Sequence, residues 1–189
     1  MIRDNRAMPA DPKSSNAPTP PPGAASAART EPTPSQVDAM LAQAHALAKR
    51  AMDAGHHPFG ALLVGPDHKT VLLEQGNVDS VNHAEAVLAR EAARRWSPAE
   101  LWPCTLVTTV EPCALCAGTQ YWANIGRTVF GIEEKALLAM TGNHPENPTL
   151  DLPCRHVFAR GQKDVRVIGP VAAVAGPIVA MHKRYWRAR

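Results

Sequence analysis

Two short stretches of this 189-residue chain carry side chains suited to chemistry: His83-Ala84-Glu85, and Pro112-Cys113-Ala114-Leu115-Cys116. Cys113 and Cys116 are three apart, so on a helix they share a face, and thiolates at a helix N-terminus are favoured by the positive end of its dipole. His83 opens a second predicted helix. If the two helices start at adjacent strand ends, one histidine and two cysteines bind Zn2+ with a fourth position left for water, the catalytic rather than the closed structural arrangement. Glu85, two residues beyond the histidine, is then placed to take a proton from that water and pass it on without being a ligand. Two other readings stand beside this one. A strand followed by Cys-x-x-Cys at a helix start also describes a dithiol redox site, which would leave His83 and Glu85 without a role. A fourth ligand from Cys104 or Cys154 would close the zinc site and make it a non-catalytic structural module.

The elements that must position these residues can be read from apolar periodicity and turn signals. Residues 1–34 hold 8 of the 18 prolines and almost no large apolar side chains, and are expected to form a disordered tail. From Ser35, Val37, Met40, Leu41, Ala44, Leu47, Ala48 and Ala51 recur at helical spacing up to Gly55, and the folded domain is expected over 35–189. Two short apolar runs, 59–64 and 71–73, flank the turn-forming Gly65-Pro66-Asp67-His68-Lys69 and predict an antiparallel hairpin. Further helices are expected over about 83–95, 112–123 and 133–140, strands over 105–110, 127–131 and 165–169, and a helix at the C-terminus. Pro112 suits the first helical position. This alternation predicts an α/β fold, a three-layer α/β/α arrangement with a mixed sheet of about five strands.

Composition narrows the function. A net charge of +3 is too small for a protein whose main task is to coat a polyanion. The longest apolar run, Val171 to Met181, is too short to cross a bilayer and is broken by Gly176 and Pro177. No apolar segment follows the charged first residues as in a secretory signal, so a cytoplasmic protein is expected. Residues 151–189 carry eight basic and two acidic side chains, which fits either a solvated helix end at Lys183, Arg184, Arg187 and Arg189 or a contact with phosphates.

Over about Ser35 to Trp186 the sequence resembles the cytidine-deaminase-like zinc-dependent deaminases, nearest the branch of guanine, cytosine and wobble-adenosine tRNA deaminases. The likeness rests on Pro58-Phe59-Gly60-Ala61, Asn77, Asn82-His83-Ala84-Glu85, and the run from Thr108 through Cys113 and Cys116 to Gly118. The resemblance implies zinc ligation by His83, Cys113 and Cys116, proton transfer by Glu85, a hydrogen bond to the base from Asn77, and a homodimer. It also implies hydrolytic removal of an exocyclic amine from a heteroaromatic ring.

The substrate is harder to read. Tyr121-Trp122-Ala123 looks like the guanine deaminase branch, whereas Ile125-Gly126-Arg127 and Val129-Phe130-Gly131 look equally like the tRNA branch. Guanine is the first expectation, with tRNA wobble adenosine as the alternative. The polar stretch 141–153 is expected to shape the substrate mouth. Guanine presents N–H donors, so a carboxylate should recognise it, with Glu133, Glu134, Glu146 and Asp151 as candidates. Phe59, Trp122 and backbone N–H groups near Ala84 are expected at the ring, Trp186 is expected to close over it, and His57 is a candidate for the pocket wall.

Overall fold

A computed structural model describes residues 29–142 and 144–187. Most of the expected tail, residues 1–28, lies outside the described residues, as do Asn143 of the polar stretch and Arg189 of the basic end.

Five strands form one sheet in the order β2-β1-β3-β4-β5: β1 (Gly60–Val64), β2 (Val71–Gly76), β3 (Thr105–Val110), β4 (Arg127–Ile132) and β5 (Arg166–Ile168). β1 runs antiparallel to both β2 and β3, whereas β3, β4 and β5 are parallel. The sheet is therefore mixed and five-stranded, as the alternation of elements predicts. β1, β3 and β4 are buried along their whole lengths, because helices cover both faces.

Side chains alternate across the sheet and so divide its core in two. Leu62, Val64, Val107 and Val129 pack under α1 (Pro34–Asp53). Ala61, Leu63 and Leu106 face the other way, onto Leu88, Ala89 and Ala92 of α2 (Ala84–Arg95) and Ala123 of α4 (Ala114–Ala123). A methyl group on Gly60 would lie 2.6 Å from the Ala44 carbonyl oxygen and 2.6 Å from the Ala48 nitrogen, so a side chain there would push α1 off the sheet. α5 (Glu134–Thr141) and α7 (Ala172–Arg187) share a cluster built on Val110, Ile132, Leu137 and Ile178. Two short helices, α3 (Pro98–Leu101) and α6 (Cys154–Phe158), have too few turns to show a sequence period. No helix among the described residues is long and apolar enough to cross a membrane.

Residues 29–34 are ordered against the domain rather than part of the expected disordered tail. Pro34 is the first residue of α1, and Thr33 caps it through a reciprocal box with Gln36. Residues 29–31 lie against the starts of β4 and β5. Arg29 donates to the Asp164 carboxylate at 2.8 Å and stacks over Trp102, the fully buried Arg127 donates to the Thr30 carbonyl oxygen at 2.6 Å, and Arg166 pairs with Glu31. These contacts are polar and long-range, so hydropathy carries no trace of them. α4 also starts later than expected: Cys113 is its cap, which leaves Pro112 outside the helix.

Candidate active site

Both ligand-bearing motifs fall on helix caps. His83 caps α2 with extended backbone (φ −64°, ψ 149°), and Cys113 caps α4 in the same way (φ −64°, ψ 173°). At a cap a serine, threonine, aspartate or asparagine would ordinarily bond back to its own helix. Here neither side chain does so, and both turn to a common point at the ends of the helices. Cys116 lies within the first turn of α4.

His83 Nδ1 is 3.5 Å from Cys113 Sγ and 3.5 Å from Cys116 Sγ, and the three donor atoms all lie within 4.8 Å of one another. Tetrahedral bonds of about 2.3 Å to sulfur and about 2.0 Å to nitrogen require an N···S separation of about 3.5 Å. The donor set and its spacing therefore fit zinc. Cys104 donates its thiol to the Glu100 carbonyl oxygen, and neither it nor Cys154 belongs to the cluster, so among the described residues these three would hold the metal without a fourth cysteine. A dithiol alone does not account for the centre, because the imidazole nitrogen sits between the sulfurs.

A second layer fixes the histidine. Its Nε2 bonds the Ser80 carbonyl oxygen at 3.1 Å, which directs Nδ1 to the sulfurs. Ser80 is itself held by a turn around Asp79, whose carboxylate accepts from the backbone of Val81 (2.8 Å) and Asn82 (2.7 Å) and from the Asn82 side chain (2.8 Å). These bonds, the Asn82 side chain first, hold the Asp79 carboxyl down to about 2. The thiol of Cys113 is driven down to about 4 by its hydrogen bond with Cys116 and, further, by His83. Cys116 is pushed up by the same bond and by burial. His83 is raised to about 9 by its bond with Cys113.

Glu85, in the first turn of α2, is buried beside this centre. Its Oε1 accepts from Thr108 Oγ1 at 3.0 Å, and its Oε2 lies 3.6 Å from Cys116 Sγ. Burial is the main force raising its carboxyl, with the Cys113 charge adding to it. One oxygen is thus anchored on β3 while the other faces the ligands.

A cavity of about 730 Å3 opens from the centre. Phe59, Asn77, Glu134 and Glu146, all singled out in the sequence, line it together with His83, Glu85 and Cys113. Asn77 Nδ2 donates to the Asp79 carbonyl oxygen at 3.1 Å, which leaves its amide oxygen without a bond among the described residues. Glu134 is buried with Oε2 unpartnered, and its carboxyl is raised to about 9 by burial and by the nearby Cys113. Residues 145–150 form one wall, and Glu146 meets His57 Nε2 at 3.4 Å across it.

Three residues expected at the ring do not line the cavity. Trp122 is 82% exposed on α4 and does not line the cavity. It follows the cysteines on the same helix, but half a turn away from the side the sheet covers. Trp186 does not close over the cavity: it is buried behind His57, 5.1 Å between ring centroids, with Nε1 donating to His182 Nδ1 at 3.2 Å. Ala84 is buried in the first turn of α2 and is not part of the lining. Glu111, to which residue type and spacing assign no role, lines the cavity at the end of β3. Its position directly before Pro112-Cys113 was the available signal.

Comparison with known proteins agrees with this geometry. Residues 34–132 match the model of the cytidine and deoxycytidylate deaminase zinc-binding region. The chain is 32% identical over 154 residues to the probable cytosine deaminase of Schizosaccharomyces pombe, covering 78% of this chain and 91% of that one. It is 35% identical over 100 residues to the tRNA-specific adenosine deaminase of Haemophilus influenzae, covering 50% and 57% respectively. Among solved structures, guanine deaminase from Nitrosomonas europaea superposes with a TM-score of 0.66 at 21% identity, over 87% of this chain and 91% of that one. The protein belongs to the cytidine and deoxycytidylate deaminase family, and is a zinc-dependent hydrolytic deaminase of nucleobases or nucleosides.

Proposed function

We propose that this deaminase acts on a free amino-substituted base, with guanine the first candidate. The observation that carries the reading is the unpartnered, buried oxygen of Glu134 in the cavity wall. A buried carboxyl oxygen with no partner is costly, and a substrate N–H donated to it satisfies it and favours the ionised carboxylate that burial otherwise opposes. Guanine carries such donors on N1 and on its exocyclic nitrogen, and the free amide oxygen of Asn77 offers a second acceptor. The wall formed by residues 145–150, joined to His57 through Glu146, suits a small base better than a nucleotide within an RNA loop.

Zinc bound at His83, Cys113 and Cys116 supplies the Lewis acidity that makes water nucleophilic near neutral pH. Glu85 takes the proton of the attacking water at Oε2, while Thr108 holds Oε1 and keeps the carboxylate plane fixed. Glu85 then protonates a ring nitrogen and delivers the remaining proton to the departing amine. The carbon–nitrogen bond breaks, a ring carbonyl remains, and ammonia leaves. Leu115 and Trp122, seven residues apart on α4 and both exposed, give this face an apolar surface that supports pairing of two copies.

The test is ammonia release from zinc-loaded protein with guanine, guanosine, cytosine, cytidine, adenosine, the triazine ammeline and a tRNA anticodon stem-loop. Turnover of guanine is expected, with Glu134→Gln raising its KM. Activity confined to the stem-loop would overturn the reading and assign Lys183, Arg184 and Arg187 to RNA phosphates.

A further inference from the structure

Glu111 lines the cavity, yet nothing in the chemistry above uses it. Each of its carboxylate oxygens accepts one backbone N–H. Oε2 takes that of Glu134, the first residue of α5, at 3.3 Å, and Oε1 takes that of Cys154, the first residue of α6, at 2.9 Å. Both helices lack a cap of their own. Glu133 stands at the cap of α5 and makes no side-chain bond to it, and Pro153 stands at the cap of α6 with no side-chain acceptor to offer. A helix start leaves N–H groups unsatisfied, and a carboxylate is the strongest neutral-pH acceptor for them. One side chain at the end of β3 therefore serves two helices whose first residues are 20 positions apart in sequence.

The two helices are not arbitrary ones. α5 begins with Glu134 and leads into the stretch that forms the cavity wall at residues 145–150, and α6 receives that stretch. Glu111 itself is two residues before the ligand Cys113, and its backbone N–H is fixed to the Ile132 carbonyl oxygen at 2.8 Å. We propose that Glu111 is a positioning residue for substrate binding, holding Glu134 and the 145–150 wall at a set distance from the metal ligands. A cap that served only stability is most cheaply supplied by the residue next to its own helix, as Thr33 and Ser97 do here for α1 and α3. Supplying both caps from the ligand-bearing connection instead makes the pocket wall and the metal centre one mechanical unit.

The inference rests on the deaminase assignment and on the cavity as the base site. It is tested by separating capping from tethering. Glu111→Gln removes the charge and leaves one acceptor for two donors. The triple variant Glu111→Gln, Glu133→Ser, Pro153→Ser gives each helix a serine cap and restores local stability without the tether. In the triple variant, kcat/KM for the base that the wild type turns over should fall at least tenfold, with most of the loss in KM and with zinc stoichiometry unchanged. Amide hydrogen exchange over residues 144–152 should quicken at least tenfold while β3 and α2 stay as protected as in the wild type.

A triple variant with wild-type KM and wild-type exchange would overturn the proposal and leave Glu111 as a cap alone. So would loss of zinc in parallel with kcat, which would make Glu111 a support of the ligands. Failure of the triple variant to fold would do the same, by showing that the carboxylate is needed for the fold as such. The exchange measurement needs no substrate, so a wild type inactive on every free base would sink the substrate reading above while this proposal is still judged.

Discussion

Deleting residues 1–33 should destabilise the domain by about 3 kcal/mol relative to deleting residues 1–28. The magnitude comes from two contacts. Thr33 caps α1, and loss of such a cap costs about 1 kcal/mol. Arg127 is fully buried and donates to the Thr30 carbonyl oxygen at 2.6 Å, with Glu31 3.5 Å away. A hydrogen bond to a charged group contributes about 1.5–3 kcal/mol, and water readmitted to the uncovered guanidinium keeps its loss toward the lower end of that range. The pair of Arg29 with Asp164 adds little, because Asp164 is 81% exposed and water competes for it. Urea denaturation followed by tryptophan fluorescence measures the difference, with Arg127→Met as the control. In the Arg127→Met background the same deletion should cost only the cap, about 1 kcal/mol, because no buried charge is left waiting for a partner. If the two deletions have the same midpoint, or if the deletion costs as much in the Arg127→Met background as in the wild type, the argument about Arg127 is wrong.

Three other outcomes are expected. Glu85→Ala should abolish ammonia release while the protein still binds one zinc per chain by elemental analysis, and retained turnover would remove Glu85 from the reaction. Thr108→Val should lower kcat by about ten- to a hundredfold with zinc retained, since it frees the anchored oxygen of Glu85 and lets the carboxylate swing; unchanged kcat would show that the anchor is dispensable. His182 is held down to about 3, first by burial and then by His45 and His57, so its imidazole should stay neutral by NMR to pH 4. The native state refuses a proton that the unfolded chain accepts below about 6.5. The stability contributed by the neutral form is therefore complete above that pH and lost on acidification, on the order of 2–3 kcal/mol by pH 4.5. A flat stability curve between pH 7 and 4.5 would contradict this.

The metal ligands were legible because their chemistry is local: a residue type, a spacing and a helix start suffice to name His83, Cys113 and Cys116. The sheet was legible for a related reason, since the apolar runs of β1, β3 and β4 mark strands covered on both faces. What escaped depends on direction and distance. Trp122 follows the cysteines on their helix, but sequence order does not say that its side chain points to solvent. Trp186 reaches the neighbourhood of the cavity and is stopped by His57, a contact between residues 129 positions apart. Arg127 and Glu111 were unreadable because a buried charged side chain looks like any surface arginine or glutamate until its backbone partners are known.

The segment between α5 and α6 has a mechanical property that follows from where its supports lie. Its near support is the far end of an eight-residue helix, about 12 Å from the helix start, and its far support is the first residue of α6. Twelve residues, 142–153, bridge these points, and a fully extended chain of that length would reach about 40 Å. The segment is longer than the span between its supports, and the excess is folded into a wall that touches the domain through Glu146 on His57 and His144 on Trp186. Doubling the length of such a loop costs only about 0.6 kcal/mol of closure entropy, and its residues are not members of the two core layers on either face of the sheet. Insertions or exchanges between the tied ends can remodel this wall of the cavity while the ligands and the sheet stay as they are. Wall and metal centre are therefore separable targets for grafting as long as the two ends tied to Glu111 are kept: one is a replaceable strip, the other is built on two helix caps.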